Sequence, residues 1–254
     1  MHIIVVKART ILIGFAAVAA AILLMLSPNA LDTFNSTDGR QLPVYNVDRN
    51  DNKIALTFDC AWNDDDIDSI LQTLKDNKCT AAFFVTGDFV EKYPSSVEKI
   101  HNAGHIVGNH SYNHADYSKM NAQDIQKDVQ KADECIKKVC GEVPLYMRMP
   151  SGAYNDNAIE SVESMGKICV QWSIDSIDYK DSASEVSILS KLAKTDSGDI
   201  ILMHNGTKLT AKLLPKIIKG LKKSYEFVSL DELIYKENFK IGADGKQRQT
   251  ESGK

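Results

Sequence analysis

From Lys53 onward the chain alternates between two hydrophobic rhythms. Short apolar, β-rich runs occupy 53–59 (KIALTFD), 80–87 (TAAFFVTG), 105–110 (HIVGNH), 145–149 (LYMRM), 167–175 (KICVQWSID), 199–205 (DIILMHN) and 225–230 (YEFVSL). Between them apolar residues recur at helical spacing over 67–77, 90–103, 122–139, 158–165, 184–193 and 211–222. Runs of the first kind are short and rich in branched and aromatic residues, which predicts strands; the second kind predicts helices packed by one face. Strand–helix alternation implies a parallel sheet. About seven repeats of it predict a closed or nearly closed (β/α) barrel. An open doubly wound sheet is the alternative, but its Gly-rich phosphate loop is absent.

Both ends depart from this rhythm. Residues 11–26 form an uninterrupted apolar run, preceded by His2, Lys7 and Arg9, with no acidic residue before Asp32. Such a segment is a signal peptide or a single membrane anchor, slightly short of the roughly 20 residues that span a bilayer as a helix. Lys7 and Arg9 predict that the N-terminal end stays in the cytoplasm and the remainder lies outside the membrane. Residues 31–50 are polar and rich in turn formers, as in a linker. The expected organisation is therefore an anchor or signal at 1–30, a linker at 31–50, one domain at 51–238, and a polar, disordered tail at 239–254.

Composition narrows the function. A length of 254 residues suits one large α/β domain beyond the anchor. A net charge of −4 gives no basic footprint, so nucleic acid is excluded as a partner. The five cysteines are scattered and form no CxxC pair, which speaks against a disulfide framework and a structural zinc site. Nothing in the pattern asks for an oligomer, and a monomer is expected.

In barrels, chemistry collects at the C-terminal ends of the strands. The first run ends at Asp59, followed by Cys60 and, shortly after, the acidic trio Asp64, Asp65 and Asp66. The third ends in HSYNH (His110 to His114), the fourth in RMPSG (Arg148 to Gly152), the fifth in DSIDY (Asp175 to Tyr179), and the sixth in LMHN with His204. Singly, each has a structural explanation. His204 in an apolar strand reads as a core residue and Arg148 as a loop anchor. His110 and His114 fit a zinc-binding helix face, though without the HExxH glutamate, or an ordinary turn. Their joint occurrence at successive strand ends is what points to a site.

From about Lys53 to Tyr235 the chain resembles the polysaccharide deacetylases, the NodB-homology domains of carbohydrate esterase family 4. Five motifs carry the resemblance, in order: TFDC, HSYNH, RMPSG, DSIDY and LMH. It implies an α/β fold with a deformed (β/α) barrel of about seven parallel strands. It also implies metal-dependent removal of N-acetyl groups from an amino-sugar polymer, peptidoglycan or a related glycan. The anchored N-terminus is similar to that of Gram-positive cell-wall members, including sporulation-associated ones. By the same resemblance Asp59 is the general base, His204 the general acid, and Arg148 the group that holds the base ionised. Asp178 orients His204, and Asp175 belongs to the same motif. His110 and His114 hold the metal, where imidazole suits zinc and also cobalt or nickel. Ser151, through its backbone N–H, and Tyr179 lie on the substrate side.

The chain also departs from the family pattern. The position after Asp59 usually carries a second, metal-binding aspartate and here carries Cys60. Three replacements stay open. A thiolate binds zinc at about 2.3 Å, one of the trio reaches in, with Asp65 the choice, or water completes a two-histidine site. The trio also suits the first turn of a helix, where acidic residues meet free N–H groups and the macrodipole. Met149, Ser151 and Tyr179 replace usual groove residues and bear on substrate preference. Two other functions compete with the deacetylase. One is a glycan-binding protein that kept the fold and lost efficient metal binding; the other is an O-acetyl esterase.

Overall fold

The computed structural model describes residues 40–250. The expected anchor at 1–30 lies outside the described residues, and no described helix is long and apolar enough to cross a membrane. The strands are β1 (Asn46–Val47), β2 (Lys53–Cys60), β3 (Ala82–Val85), β4 (Ile106–Asn109), β5 (Tyr146–Met147), β6 (Ile168–Cys169), β7 (Ile174–Asp175), β8 (Ile200–His204), β9 (Glu226–Phe227), β10 (Phe239–Ile241) and β11 (Lys246–Gln249). The helices are α1 (Ile67–Asp76), α2 (Gly87–Lys92), α3 (Pro94–Asn102), α4 (Ala122–Cys140), α5 (Asp156–Glu163), α6 (Glu185–Leu192), α7 (Thr210–Leu221) and α8 (Leu230–Leu233).

Seven parallel strands run in the order β6-β5-β4-β3-β2-β8-β7, with β9 beside β2. This is the expected deformed (β/α) barrel. Among the described residues β6 and β7 do not pair with each other, so the barrel has a seam between them. The run 167–175, expected as one strand, is these two short strands at opposite ends of the sheet. Residues 170–173 cross the seam. There Val170 bridges Val44, the Gln171 N–H donates to the Val44 carbonyl, and the Ser173 N–H donates to the Ile200 carbonyl of β8.

Strand period sorts the side chains of β2, β3 and β8 into two sets. Ile54, Leu56, Phe58, Cys60, Phe83, Val85, Ile201 and Met203 face the helices and join Ile67, Ile70 and Leu74 of α1 in the main core. Ala55, Ala82, Phe84 and Ile200 face the barrel interior, together with Tyr146 and Val170. The predicted helix 90–103 is two helices, α2 and α3, broken at Tyr93 where Pro94 opens α3.

The expected disordered tail is corrected for residues 239–249. Phe239 and Ile241 are 5 % and 3 % exposed and belong to the barrel-interior core, with Val44, Val47, Leu230 and Leu233. Their alternation with polar residues is a strand pattern that the surrounding polarity masks. β10 and β11 pair antiparallel, and β11 pairs parallel with β1, making a three-stranded floor under the barrel. The presumed linker 31–50 therefore ends early, since Val44 and Val47 are buried.

Gly198 shows how closely β1 is docked. It has φ +86, and a Cβ there would lie 1.8 Å from the Val47 carbonyl oxygen. Gly198→Ala is expected to lower unfolding stability by more than about 1 kcal/mol, since a side chain would meet both a left-handed backbone and a backbone clash. Chemical denaturation reads it. An unchanged midpoint would show that β1 does not sit against this turn.

Candidate active site

β2 and β8 lie in register with Asp59 opposite His204, and both side chains enter the mouth of the barrel. Arg148, just beyond β5, is fully buried there. Its Nη1 donates to Asp59 Oδ1 at 2.8 Å and to Thr57 Oγ1 at 2.9 Å, and its Nη2 donates to the Gln171 carbonyl at 3.0 Å. The guanidinium also packs 4.1 Å from the Phe84 ring centroid and 5.6 Å from that of Trp172. A buried charge is tolerable only when paired and hydrogen-bonded in this way. Burial pushes the Asp59 carboxyl up, but His110, Arg148 and His204 outweigh it and hold the group below the usual carboxylate range. At neutral pH, with His110 uncharged, Arg148 is the lasting partner.

On the other side, Asp178 grips His204 twice. The ring Nδ1–H donates to Asp178 Oδ1 at 2.8 Å and the backbone N–H to Oδ2 at 2.8 Å. Thr210 Oγ1–H also donates to Oδ2. These bonds leave His204 Nε2 for the cleft. Burial pulls the imidazole pKa down, but Asp178 and Asp59 outweigh it and raise it above its ordinary value. The sign follows. A raised histidine adds stability that is full below the ordinary imidazole pKa and is lost as pH rises through the folded-state value. Asp178→Asn is expected to lower the His204 pKa, because burial then dominates, and to remove that pH-dependent stability. An NMR titration of His204 checks it; an unmoved pKa would separate Asp178 from this role.

The HSYNH segment is a loop in which Ser111 (φ 69) and His114 (φ 61) adopt left-handed backbone. It is not a helix face, and the turns bring the two imidazoles to a centroid distance of 5.1 Å at 73°. Asn109 holds its start, donating to Asp133 Oδ1 and the Val129 carbonyl and accepting from the Ser111 N–H. Asp128 on α4 accepts from the Tyr112 N–H and the Tyr117 hydroxyl. His110 Nδ1–H donates to the Arg148 carbonyl at 2.8 Å, leaving Nε2 as the lone pair, 3.4 Å from Asp59 Oδ2. Burial lowers the His110 pKa to about 4, and burial also lowers that of His114. Both rings are thus neutral at pH 7, the form that binds a metal.

The expected third ligand is not brought to them. Cys60 faces the helix side of β2, fully buried in the main core. Burial raises its thiol well above the ordinary value, so it carries no thiolate. Asp65 is exposed and lines no part of the cleft. Asp64 accepts from the Ser96 hydroxyl at 2.6 Å, and both oxygens of Asp66 accept from the Gly206 N–H at 2.9 Å. The acidic knot therefore ties β2 to α3 and to the turn after β8. Asp66 sits at the N-cap of α1 without making a side-chain cap bond. Among the described residues no three His, Cys, Asp or Glu side chains form a metal-holding group. Two imidazoles fit a divalent metal; a third protein ligand of the expected kind does not.

Between these groups lies a cleft of about 240 Å³ lined by Asp59, Trp62, His114, Ser151, Trp172, Asp175, Tyr179, Leu202 and His204. Ser151 stands exposed at its rim with φ 55. Asp175 accepts from the Ile177 N–H at 2.7 Å. Tyr179 lies 5.0 Å from the His204 ring. Sequence reasoning named neither Trp62, 5.7 Å from His204, nor Trp172, which sits on the seam. Their only signal was their place two or three residues from motif positions.

A family model described as polysaccharide deacetylase matches residues 46–170. A peptidoglycan-N-acetylmuramic acid deacetylase of Bacillus subtilis is 29 % identical over 219 residues, covering 84 % of this chain and 83 % of its own. A peptidoglycan-N-acetylglucosamine deacetylase of Bacillus cereus is 32 % identical, covering 71 % and 68 %. Among solved structures, a CE4 family pseudoenzyme from Bacillus anthracis superposes with a TM-score of 0.73 at 26 % identity, over 82 % of this chain and 73 % of that one. A mutant of a CE4 family pseudoenzyme, described as having restored enzymatic activity, gives a TM-score of 0.73 at 28 % identity, covering 76 % of this chain and 71 % of its own.

Proposed function

This chain belongs to the polysaccharide deacetylase family, and from that membership and its site we propose that it removes N-acetyl groups from peptidoglycan or a related cell-wall glycan. The observation that carries the reading is the double pair at adjacent strand ends, Arg148 on Asp59 and Asp178 on His204. Amide hydrolysis needs a base for water and an acid for the leaving nitrogen. Asp59, held ionised, takes the proton from the attacking water. His204, favoured as imidazolium by Asp178, gives its Nε2 proton to the sugar nitrogen as the C–N bond breaks, releasing acetate and the amine. Ser151 contributes its backbone N–H at the rim, and Asp175 and Tyr179 shape the sugar side of the cleft.

A divalent metal, when bound, lowers the pKa of a water and polarises the acetyl carbonyl. His110 and His114 would hold it, with zinc, cobalt or nickel all suited to imidazole. Acetate release from peptidoglycan and from N-acetylglucosamine oligomers, with metal analysis of the same sample, tests the reading. No release from either, with metal bound, would refute it.

One observation favours a second reading, a glycan binder with weakened catalysis. Cys60 stands where the family has a ligand, and its side chain is turned away. Against it stand Asp59, Arg148, Asp178 and His204, all kept and all engaged. The apolar run at 11–26 supports a position outside the cell membrane, anchored or released. Protease treatment of intact cells checks this: cleavage of the domain is expected, and full protection would exclude it.

A further inference from the structure

Resting on the deacetylase reading, we propose that the enzyme takes an anionic glycan, whose carboxylate is received in a basin beside the catalytic cleft. A second cavity of about 400 Å³ is lined by Trp62, Asp178, Tyr179, Lys180, Asp181, Ala183, Gly206, Thr207, Lys208 and Leu209. Trp62 and Tyr179 line both cavities, so the two are neighbours across a pair of aromatic rings. Those rings are 52 % and 47 % exposed, unusual for side chains of that size, and both pack against His204. Amphipathic rings beside a reacting centre suit the faces of sugar units.

Two cations reach this basin from different loops. Lys180 follows β7, and Lys208 follows β8. Both are exposed, and among the described residues neither forms an ion pair. The carboxylate of Asp178 is already committed to His204 and Thr210, which leaves Asp181 as the one unengaged acid on the lining. On the lining itself two ammonium groups outside any ion pair, Lys180 lying 6.0 Å over the Tyr179 ring, meet one uncommitted carboxylate, while the nearby Asp66 carboxylate is held by the Gly206 N–H.

The wall that carries Lys180 is built at a cost. Ile177 has φ 59, a conformation that a β-branched residue avoids. Its N–H is held by Asp175 and its carbonyl accepts from the Lys180 N–H at 3.2 Å. This turn sends Asp178 inward to His204 and Tyr179 and Lys180 outward to the basin. A carboxylate borne by the reacting sugar's ring, or by a peptide attached to it, would meet the lysines while the acetyl group faces His204.

Calorimetric titration of the protein tests this with three probes: neutral N-acetylglucosamine oligomers, glycan fragments containing N-acetylmuramic acid stripped of peptide, and the same fragments with peptide. The anionic fragments should bind about tenfold more tightly, the scale of one or two partly exposed charge-assisted contacts, and the advantage should shrink with salt. The double substitution Lys180→Gln with Lys208→Gln should erase the preference, and Lys→Arg at both should keep it. A preference already present without peptide assigns the carboxylate to the sugar; one that needs peptide assigns it to the stem. Equal affinity for neutral and anionic probes, or a preference that survives the double substitution, overturns the proposal. Acetate release from the same mixtures reports separately on the deacetylase reading, because binding is read whether or not turnover occurs.

Discussion

Asp59→Asn is expected to cut turnover by at least about 10²-fold, the usual scale of general acid–base contributions, with metal content nearly unchanged. The substitution keeps the shape and removes the charge. Arg148 is fully buried, and Asp59 is its carboxylate partner. The variant therefore leaves a buried cation without its counter-charge, a loss that destabilises by about 3–5 kcal/mol in comparable sites. Denaturation should show that penalty alongside the lost rate. His204→Ala should lose a similar factor in rate and with it the alkaline limb of the pH profile, since the lost acid is the group that deprotonates as pH rises. Near-normal turnover in both variants would end the assignment of base and acid. A rate loss in Asp59→Asn without any loss of stability would mean that Arg148 is neutralised in some other way.

Metal binding should depend on the two imidazoles and ignore the cysteine. Structural zinc sites gain about 10–16 kcal/mol over four ligands, or roughly 3 kcal/mol per ligand. His110→Ala or His114→Ala should therefore weaken the metal by at least about 100-fold, at 1.4 kcal/mol per tenfold. Cys60→Ala should leave affinity within about twofold and cost roughly 1 kcal/mol of stability, as trimming a small core side chain does. Competition with a chelating dye measures all three. A large loss of metal in Cys60→Ala would mean that the strand end turns over when metal is present. Asp65→Asn should be silent for both metal and stability, since Asp65 is exposed and engaged by nothing in the cleft.

The sequence was most informative where one strand carries both the pattern and the chemistry. KIALTFDC alternates cleanly, so the fate of Asp59 and Cys60 on opposite faces is written in the period of β2. It was least informative where pairing is distant. That Asp59 faces His204 depends on β2 and β8 lying side by side. At the split of 167–175, Val170 bridges Val44, a residue of the presumed linker. The roles of Asp64 and Asp66 as cross-links to Ser96 and Gly206 have no local signal at all, because their partners arrive from α3 and from the turn after β8. Phe239 and Ile241 did carry a signal, a period of two in a polar stretch too short to stand out.

The three-stranded floor has a kinetic consequence. Asn46 pairs with Lys246, and Val47 with Gln247, so the first and last strands of the described chain close one another. A ribosome-bound chain can form β2, β3 and β4 with their helices while it lengthens, but the underside of the barrel stays open until residues 246–249 have been released. Such long loops must close before their contacts repay the lost chain freedom. Until then Val44, Val47, Leu230 and Leu233, which share a core cluster with Phe239 and Ile241, lack those partners, and a chain shortened before Phe239 would keep that apolar face permanently, as a surface for aggregation.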